Sequence, residues 1–533
     1  MNDKYGFGWV SRRQLLKSGS LVITSGVMGV MTQSVQPVTA ASGEDPVIET
    51  LTVSFDEDEP QVLFEYDYSI PSSIVRLVIQ IPWLEFTETI GYTVAETENV
   101  QTVRSDDYNA DEFVWSGGPN PKVTLKKDVK STAFNSGPAG YLTDQTAFVG
   151  IPSTNLPFRY RSSSPPPRRK KTTFDGEGYA GVSLAYAGSH KLSVQKVNDT
   201  EVAFVEPDEV KIDIDHEAAM DIFSEGERHL GGIRWNRDKQ TNFIIPEHRV
   251  GPGSAGRGVG HDSWTGVQRW NLDRIDNVPA HEYAHTVFGT FGLGEMYWLR
   301  EASAEYYGYL ISLNAKRGSF QEFLDTVRTE RYANVVLSDV DQMRRGSGDY
   351  HKGAHVLAAL DAEIRIRTDS QQSLLDVFDQ ERGSDLTQYN EFEATVTEVA
   401  GDESLSEWLN QYVRTPALPE IPEDPEYYTL GDNSPESFIT VKENPADENG
   451  EKSKQEQTVE SPESPTEPGH EKEDESNQTP QPPTNDDHDR KESSYETRLN
   501  DQIPGFGILG TVSALSAAIM WKRHDIIDKI RKS

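Results

Sequence analysis

His281-Glu282-Tyr283-Ala284-His285 is the segment from which the rest of the chain is read. Its two histidines are four residues apart, so on a helix both imidazoles leave one face and can bind a single ion. Glu282, next to the first ligand, is placed to act on water at that ion rather than to bind it. The chain has no cysteine, so a metal site here must use His, Asp and Glu. Fifteen residues lie between His285 and Glu301 of Trp298-Leu299-Arg300-Glu301-Ala302-Ser303-Ala304-Glu305-Tyr306-Tyr307. The loop Gly289 to Gly294 lets a second helix turn back and bring Glu301 to the ion. Two histidines and one carboxylate leave the fourth tetrahedral position to water, the mark of a catalytic zinc. Glu305, one turn further, has two readings. It accepts a hydrogen bond from the far nitrogen of a ligand histidine, as a second-shell partner, or it is a solvated helix charge.

Around this segment the texture is helical from about Asp213. His216 to His229 and Tyr350 to Arg367 are predicted helices, the latter with Val356, Leu357, Leu360 and Ile364 on one face. Leu405, Trp408, Leu409 and Tyr412 mark a last amphipathic helix. Before it, from about Val47 to Val205, short runs alternate. Val62, Phe64, Tyr66 and Tyr68 point one way, as do Val75, Leu77, Ile79 and Ile81, which predicts an antiparallel, sandwich-like β domain. The expected class is α+β, with the β domain at 41–212 and the mainly helical domain at 213–416. Pro165 to Lys171 reads as an exposed loop.

Two other histidine pairs read differently. His216-Glu217 begins the same pattern, but Met220 stands where the second ligand belongs, so it is a helix start. His351 and His355 share the four-residue spacing, but Lys352 between them repels a cation.

The paired motifs resemble those of the gluzincin (thermolysin-like) metallopeptidases, in which the second motif commonly reads Trp-Leu-Asn-Glu-Gly. Asp349-Tyr350-His351-Lys352-Gly353-Ala354 is similar to a segment of the alanyl-type and glycyl-type aminopeptidases. Val399-Ala400-Gly401 resembles the end of the same catalytic domains. This resemblance, over about 215 to 415, implies a preceding β domain, Zn2+ held by His281, His285 and Glu301, and Glu282 as general base. It also implies that Tyr350 stabilises the tetrahedral intermediate of peptide hydrolysis. Arg300 and Ala302 depart from the usual Asn and Gly. The region Gly251 to Gly266, which holds His261, has no Gly-x-Met-x-Asn motif, whose neighbourhood binds a free amine in that family. Endopeptidase and aminopeptidase both stay open. The alternative to an enzyme is a non-catalytic surface protein, binding or structural, that retains the fold.

Composition and the chain ends bear on location. The 51 Lys+Arg against 87 Asp+Glu leave a net charge of -36, which repels phosphate backbones and excludes nucleic acid as an expected partner. Ser11-Arg12-Arg13-Gln14-Leu15-Leu16-Lys17, the apolar run Leu21 to Met31 and Val38-Thr39-Ala40 make up a twin-arginine export signal over 1–40. Leu418 to Gln502 holds 24 acidic and 7 basic residues with 11 prolines, the composition of a disordered stalk over 417–502. Pro504-Gly505-Phe506, an apolar run to Trp521 and Lys522-Arg523 complete the chain at 503–533. They resemble the C-terminal sorting signal of archaeal surface proteins. That resemblance implies processing by an archaeosortase and a lipid anchor; a plain transmembrane tail is the other reading. Both place the folded part outside the cell, at the surface. With the acidity, the chain resembles a haloarchaeal surface protein exported by the Tat machinery and acting on peptides or proteins.

Overall fold

A computed structural model describes residues 45–431, apart from 82–91, 106–109, 129–139, 163–164, 234–236, 250–255, 290–291, 293, 329, 344–346 and 383–385. The expected export signal, the part of the expected stalk beyond 431 and the C-terminal apolar run lie outside the described residues. Among the described residues no helix is long and apolar enough to cross a membrane.

The alternation in the first half becomes three sheets. One runs in the order Arg168–Asp175, Val47–Asp56, Gln61–Ser69, Lys122–Asp128, Tyr92–Glu98, and its pairs are antiparallel except the first. A second runs Phe158–Tyr160, Ile74–Gln80, Ala110–Trp115, Gln101–Ser105, and a third Gly178–Ala180, Leu184–Ala187, Ala147–Gly150, Tyr141–Leu142. All three contribute to one apolar core that includes Leu51, Phe64, Leu77, Phe113, Val149 and Ala185. Val62, Phe64, Tyr66 and Tyr68 are buried, as the period of two requires. In the next run Leu77, Ile79 and Ile81 point inward, but Ile74 takes the inward place expected of Val75. The pairing with the neighbouring strand slips between Arg159 and Tyr160, and such a bulge shifts the side-chain phase by one residue. Arg168–Asp175 is an edge strand rather than a loop, and its four basic side chains are exposed. Cations on an exposed edge discourage pairing with a second chain.

The second half begins earlier than its helical texture. A five-stranded sheet runs His190–Val197, Thr200–Pro207, Lys239–Ile245, Asp262–Gly266, Gly256–Val259, with the three central strands parallel. It crosses residue 212, where the boundary is expected. The strands at 190–207 continue the alternation of the β region, yet Thr200–Pro207 pairs with a strand more than thirty residues downstream. Local pattern does not reveal that choice of partner. The central strands are buried on both faces, with Gln240, Asn242 and Ser263 hydrogen-bonded to one another, and Val202, Phe204 and Ile244 join the helical core.

Nine helices among the described residues build the remainder: α1 His216–Leu230, α2 Val278–Phe288, α3 Tyr297–Asn314, α4 Phe320–Val327, α5 Val340–Met343, α6 Gly348–Arg367, α7 Leu374–Gln380, α8 Tyr389–Ala400 and α9 Ser404–Val413. The chain then stays on this body to 431, past the expected end at 416. His355 Nε2 donates to Pro419 O at 2.8 Å, and Lys352 Nζ donates to the carbonyls of Val335 and Thr415, each at 2.8 Å. Tyr428 is buried against Phe320 and Phe323 of α4. Two tyrosines and Leu430 give this acidic stretch enough apolar surface to dock, which its average composition hides.

Candidate active site

Helix α2 starts where Asn277 caps it. The Asn277 side chain accepts from Ala280 N at 2.9 Å and donates to Ser312 Oγ of α3 at 2.6 Å, and Pro279 sits in the first turn. Ala280, Tyr283, Ala284, Val287 and Phe288 are buried. His281 and His285 therefore leave the opposite side, each only slightly exposed.

Helix α3 brings the carboxylates. Glu301 Oε2 lies 3.1 Å from His285 Nε2 and 3.7 Å from His281 Nε2. One ligand atom from each of the three residues falls within 4.8 Å of the others. Tetrahedral zinc with bonds of about 2.0–2.2 Å separates its ligand atoms by about 3.3 Å, so the donors fit that ion in type and spacing. Among the described residues this is the one such cluster.

Glu305 stands behind His281. Its Oε2 is 2.7 Å from His281 Nδ1, and its Oε1 accepts from Tyr309 OH at 2.6 Å. A carboxylate on Nδ1 keeps the proton there and leaves Nε2 free for the ion. The reading of Glu305 as a solvated helix charge does not describe its position. Glu305→Gln is expected to weaken zinc binding about 10–100-fold while the fold persists, measured by competition with a chelator of known affinity. Unchanged affinity removes this role.

The electrostatics follow from burial and from these contacts. Burial alone lowers the His281 pKa, but Glu301 and Glu305 outweigh it and hold it well above the usual histidine value. Burial lowers His285, against the pull of Glu301. Glu301 would be raised by burial, but His285 and His281 bring it well below the usual carboxylate range. Glu282 is nearly buried. That burial, offset in part by His281 and reinforced by the Glu301 charge, pushes its carboxyl up to about 7.

Helix α6 supplies Tyr350. Its ring stacks on His281 with centroids 5.8 Å apart and 11° between planes. The approach depends on small residues one turn along. A Cβ at Gly353 would lie 2.6 Å from Ala302 Cβ, closer than real contacts allow. Burial raises the Tyr350 hydroxyl well above its usual pKa, with the Glu301 charge adding, so it stays a proton donor. The preceding Asp349 is buried, and burial pushes it up to about 8.

The edge strand Gly256–Val259 closes another side. A Cβ on Gly256 would lie 2.5 Å from Glu282 Cγ, and one on Gly258 2.5 Å from His285 Cβ. Only glycine lets this backbone rest on the metal helix, where the Gly258 N–H reaches the Glu282 carboxylate.

The remaining histidines stay apart. His216 anchors the start of α1, with Nδ1 at 2.7 Å from Ser193 Oγ and Nε2 at 2.6 Å from Glu206 Oε2. His351 stacks on Tyr332, and His355 serves the tail. His261 lies on the turn between the last two strands, and burial lowers it to about 4. Sequence reasoning missed Tyr309, which holds Glu305, and the strand Gly256–Val259. The alternation Gly256-Arg257-Gly258 is the signal that could have placed Arg257 on a strand pressed against another element.

No family model matches the sequence, and no curated protein does. Among solved structures the chain is similar to the aminopeptidase N family protein of Idiomarina loihiensis, at 11% identity and a TM-score of 0.41, covering 68% of this chain and 73% of that one. It is also similar to an M1 zinc metallopeptidase from Deinococcus radiodurans, at 13% identity and a TM-score of 0.45, covering 71% of this chain and 95% of that one. A third is Legionella pneumophila aminopeptidase A in complex with aspartic acid, at 12% identity and a TM-score of 0.40, covering 70% of this chain and 49% of that one.

Proposed function

We propose that this chain is a zinc-dependent peptidase, exported by the twin-arginine route and held at the cell surface. One observation carries the chemistry: His281, His285 and Glu301 converge beside the buried Glu282, at the outer edge of a sheet. A zinc ion bound there supplies Lewis acidity toward a carbonyl and acidifies a water.

The chain's own groups do the rest. Gly256–Val259 is the last strand of its sheet, and an extended peptide adds to such an edge by main-chain hydrogen bonds. Glu282 takes a proton from the attacking water and passes it to the leaving nitrogen. A carboxyl near 7 is matched to both halves of that task at neutral pH. Tyr350 donates its O–H to the carbonyl oxygen as negative charge builds there. Tyr309 and Glu305 hold His281 in orientation. The twin-arginine box supports export, and the C-terminal Pro-Gly-Phe segment supports archaeosortase processing with a lipid anchor.

The test is hydrolysis of internally quenched peptides, N-terminally blocked or free, by the purified chain in concentrated salt. Chelation is expected to abolish cleavage, and one equivalent of Zn2+ to restore it. Cleavage that survives complete zinc removal overturns the proposal. Stoichiometric zinc without cleavage of any peptide points to the non-catalytic alternative.

A further inference from the structure

Asp262 is fully buried, and backbone groups from two parts of the molecule hold its carboxylate. Its Oδ2 accepts from Ser183 N at 2.6 Å and from Leu184 N at 2.9 Å, and its Oδ1 accepts from Thr241 N at 3.1 Å. Thr241 lies on the next strand of the same sheet. Ser183 and Leu184 belong to the β domain, where the chain bends between Gly178–Ala180 and Leu184–Ala187. Burial pushes the carboxyl up to about 6, against the pull of these N–H groups, so it is charged at neutral pH. Holding a buried charge is costly, and an apolar contact often joins two surfaces as firmly. Hydrogen bonds to a charge add direction, which an apolar contact lacks.

The two sides are fitted to each other. A Cβ on Gly181 would lie 2.4 Å from Asp262 Oδ2, so only glycine lets the bend come this close. Lys239 Nζ donates to Ala180 O at 2.6 Å, and His261 N donates to Ser183 Oγ at 3.4 Å. Gly260 has φ +59, and a Cβ there would lie 2.4 Å from the same Oγ. The bend 180–184 and the turn 260–262 thus clasp each other. That turn carries the edge strand Gly256–Val259, in which Val259 pairs with Asp262 and Gly258 with Ser263. The strand meets α2 through Gly256 and Gly258, which have no side chains to interlock with a helix. Contact through glycines specifies register weakly, so the register must be set elsewhere.

We propose that Asp262 is a positioning residue for peptide hydrolysis. By clasping the β-domain bend it fixes the edge strand over α2, and with it the place of an extended peptide relative to Glu282. The proposal rests on the peptidase reading and on a substrate that adds to this edge. It makes the β domain a working part of the active site, although that domain supplies none of the proposed metal ligands. A misplacement of about 1 Å between a substrate and its catalytic groups costs up to about a hundredfold in rate.

The test uses the zinc-loaded full chain and two N-terminally blocked peptides with the same residues around the scissile bond. One is short, and the other is long enough to lie along the whole strand. Asp262→Asn keeps the shape of the side chain but turns amide hydrogens toward at least one of the three N–H groups. Gly181→Ala disturbs the same contact from the β domain, by pressing a methyl group on the carboxylate. Each is expected to lower kcat/KM for the long peptide about tenfold or more, and for the short one much less. Zinc affinity is expected to stay unchanged, because neither substitution touches His281, His285 or Glu301. The double variant is expected to lose little more than either single one, as changes to one contact do. Amide hydrogen exchange reads the strand without substrate: exchange over 256–262 is expected to rise in both variants while α2 stays protected. Equal losses for the two peptides, or native kinetics in a folded variant, overturn the positioning role and leave the peptidase reading intact. Unchanged exchange over 256–262 overturns the clasp. If the native chain cleaves neither peptide, the peptidase reading falls and the positioning role falls with it.

Discussion

Glu282→Gln is expected to retain one zinc ion per chain and to lower peptide hydrolysis about 10³-fold, or roughly 4 kcal/mol of transition-state stabilisation. The substitution keeps the shape of the side chain and its acceptor oxygen for the Gly258 N–H, and it leaves His281, His285 and Glu301 untouched. It removes only the ability to carry a proton. The loss is therefore expected in kcat rather than in KM. The pH profile checks the same assignment. A base must be ionised to act, so activity is expected to fall on the acid side, starting from the value of about 7 to which burial pushes this carboxyl in the metal-free site. A bound dication moves that limb to lower pH, because it favours the carboxylate. Hydrolysis by the purified variant at the native rate removes Glu282 from the mechanism.

Arg237→Ala is expected to destabilise the fold by about 3–5 kcal/mol. Arg237 Nε and Nη2 donate to Glu227 Oε2 of α1 at 2.9 and 2.5 Å. Its Nη1 donates to Thr286 Oγ1 at 3.0 Å and its Nη2 to Tyr283 OH at 2.6 Å. Tyr283 OH in turn donates to the same Glu227 oxygen at 2.8 Å. Arg237 and Glu227 are both buried, so removing the cation leaves a carboxylate with neither water nor counter-charge. Tyr283 and Thr286 belong to the helix that carries the two histidines, and this network holds the back of that helix against α1. Denaturant unfolding measures the loss. The double substitution Arg237→Met with Glu227→Leu is expected to cost far less than Arg237→Ala, since it removes both charges together. A single variant as stable as the native chain shows that the pair contributes specificity rather than stability.

Much of the site is legible in the sequence because its spacing is local. His281 and His285 share a face by helix geometry alone, whatever the fold around them. Glu301 follows from the length of the loop and the second motif, and Tyr350 from its resemblance to a known segment. The limits are equally physical. Arg257 is 25 residues from Glu282 in sequence, and nothing in its neighbourhood says that its strand rests on α2. Glu227, Arg237 and Tyr283 look like three ordinary polar positions until the helices pack. Ile74 takes the inward place expected of Val75 because Val75 is the unpaired residue of a bulge in its own strand, which the alternation of residue types does not mark.

By itself the sequence pointed to the proposed ligand trio, the proposed base beside it, the mixed α+β class and the net charge of -36. These follow from residue type and from periods of two and 3.6, which act over a few residues. Only the tertiary structure decided where the second body begins and ends. Thr200–Pro207 pairs with Lys239–Ile245, and residues 417–431 dock through Tyr428. It alone also decided that Gly256 and Gly258 lay an edge strand against the helix of the two histidines. Those outcomes depend on which distant surfaces exclude water together, and no local pattern encodes that choice.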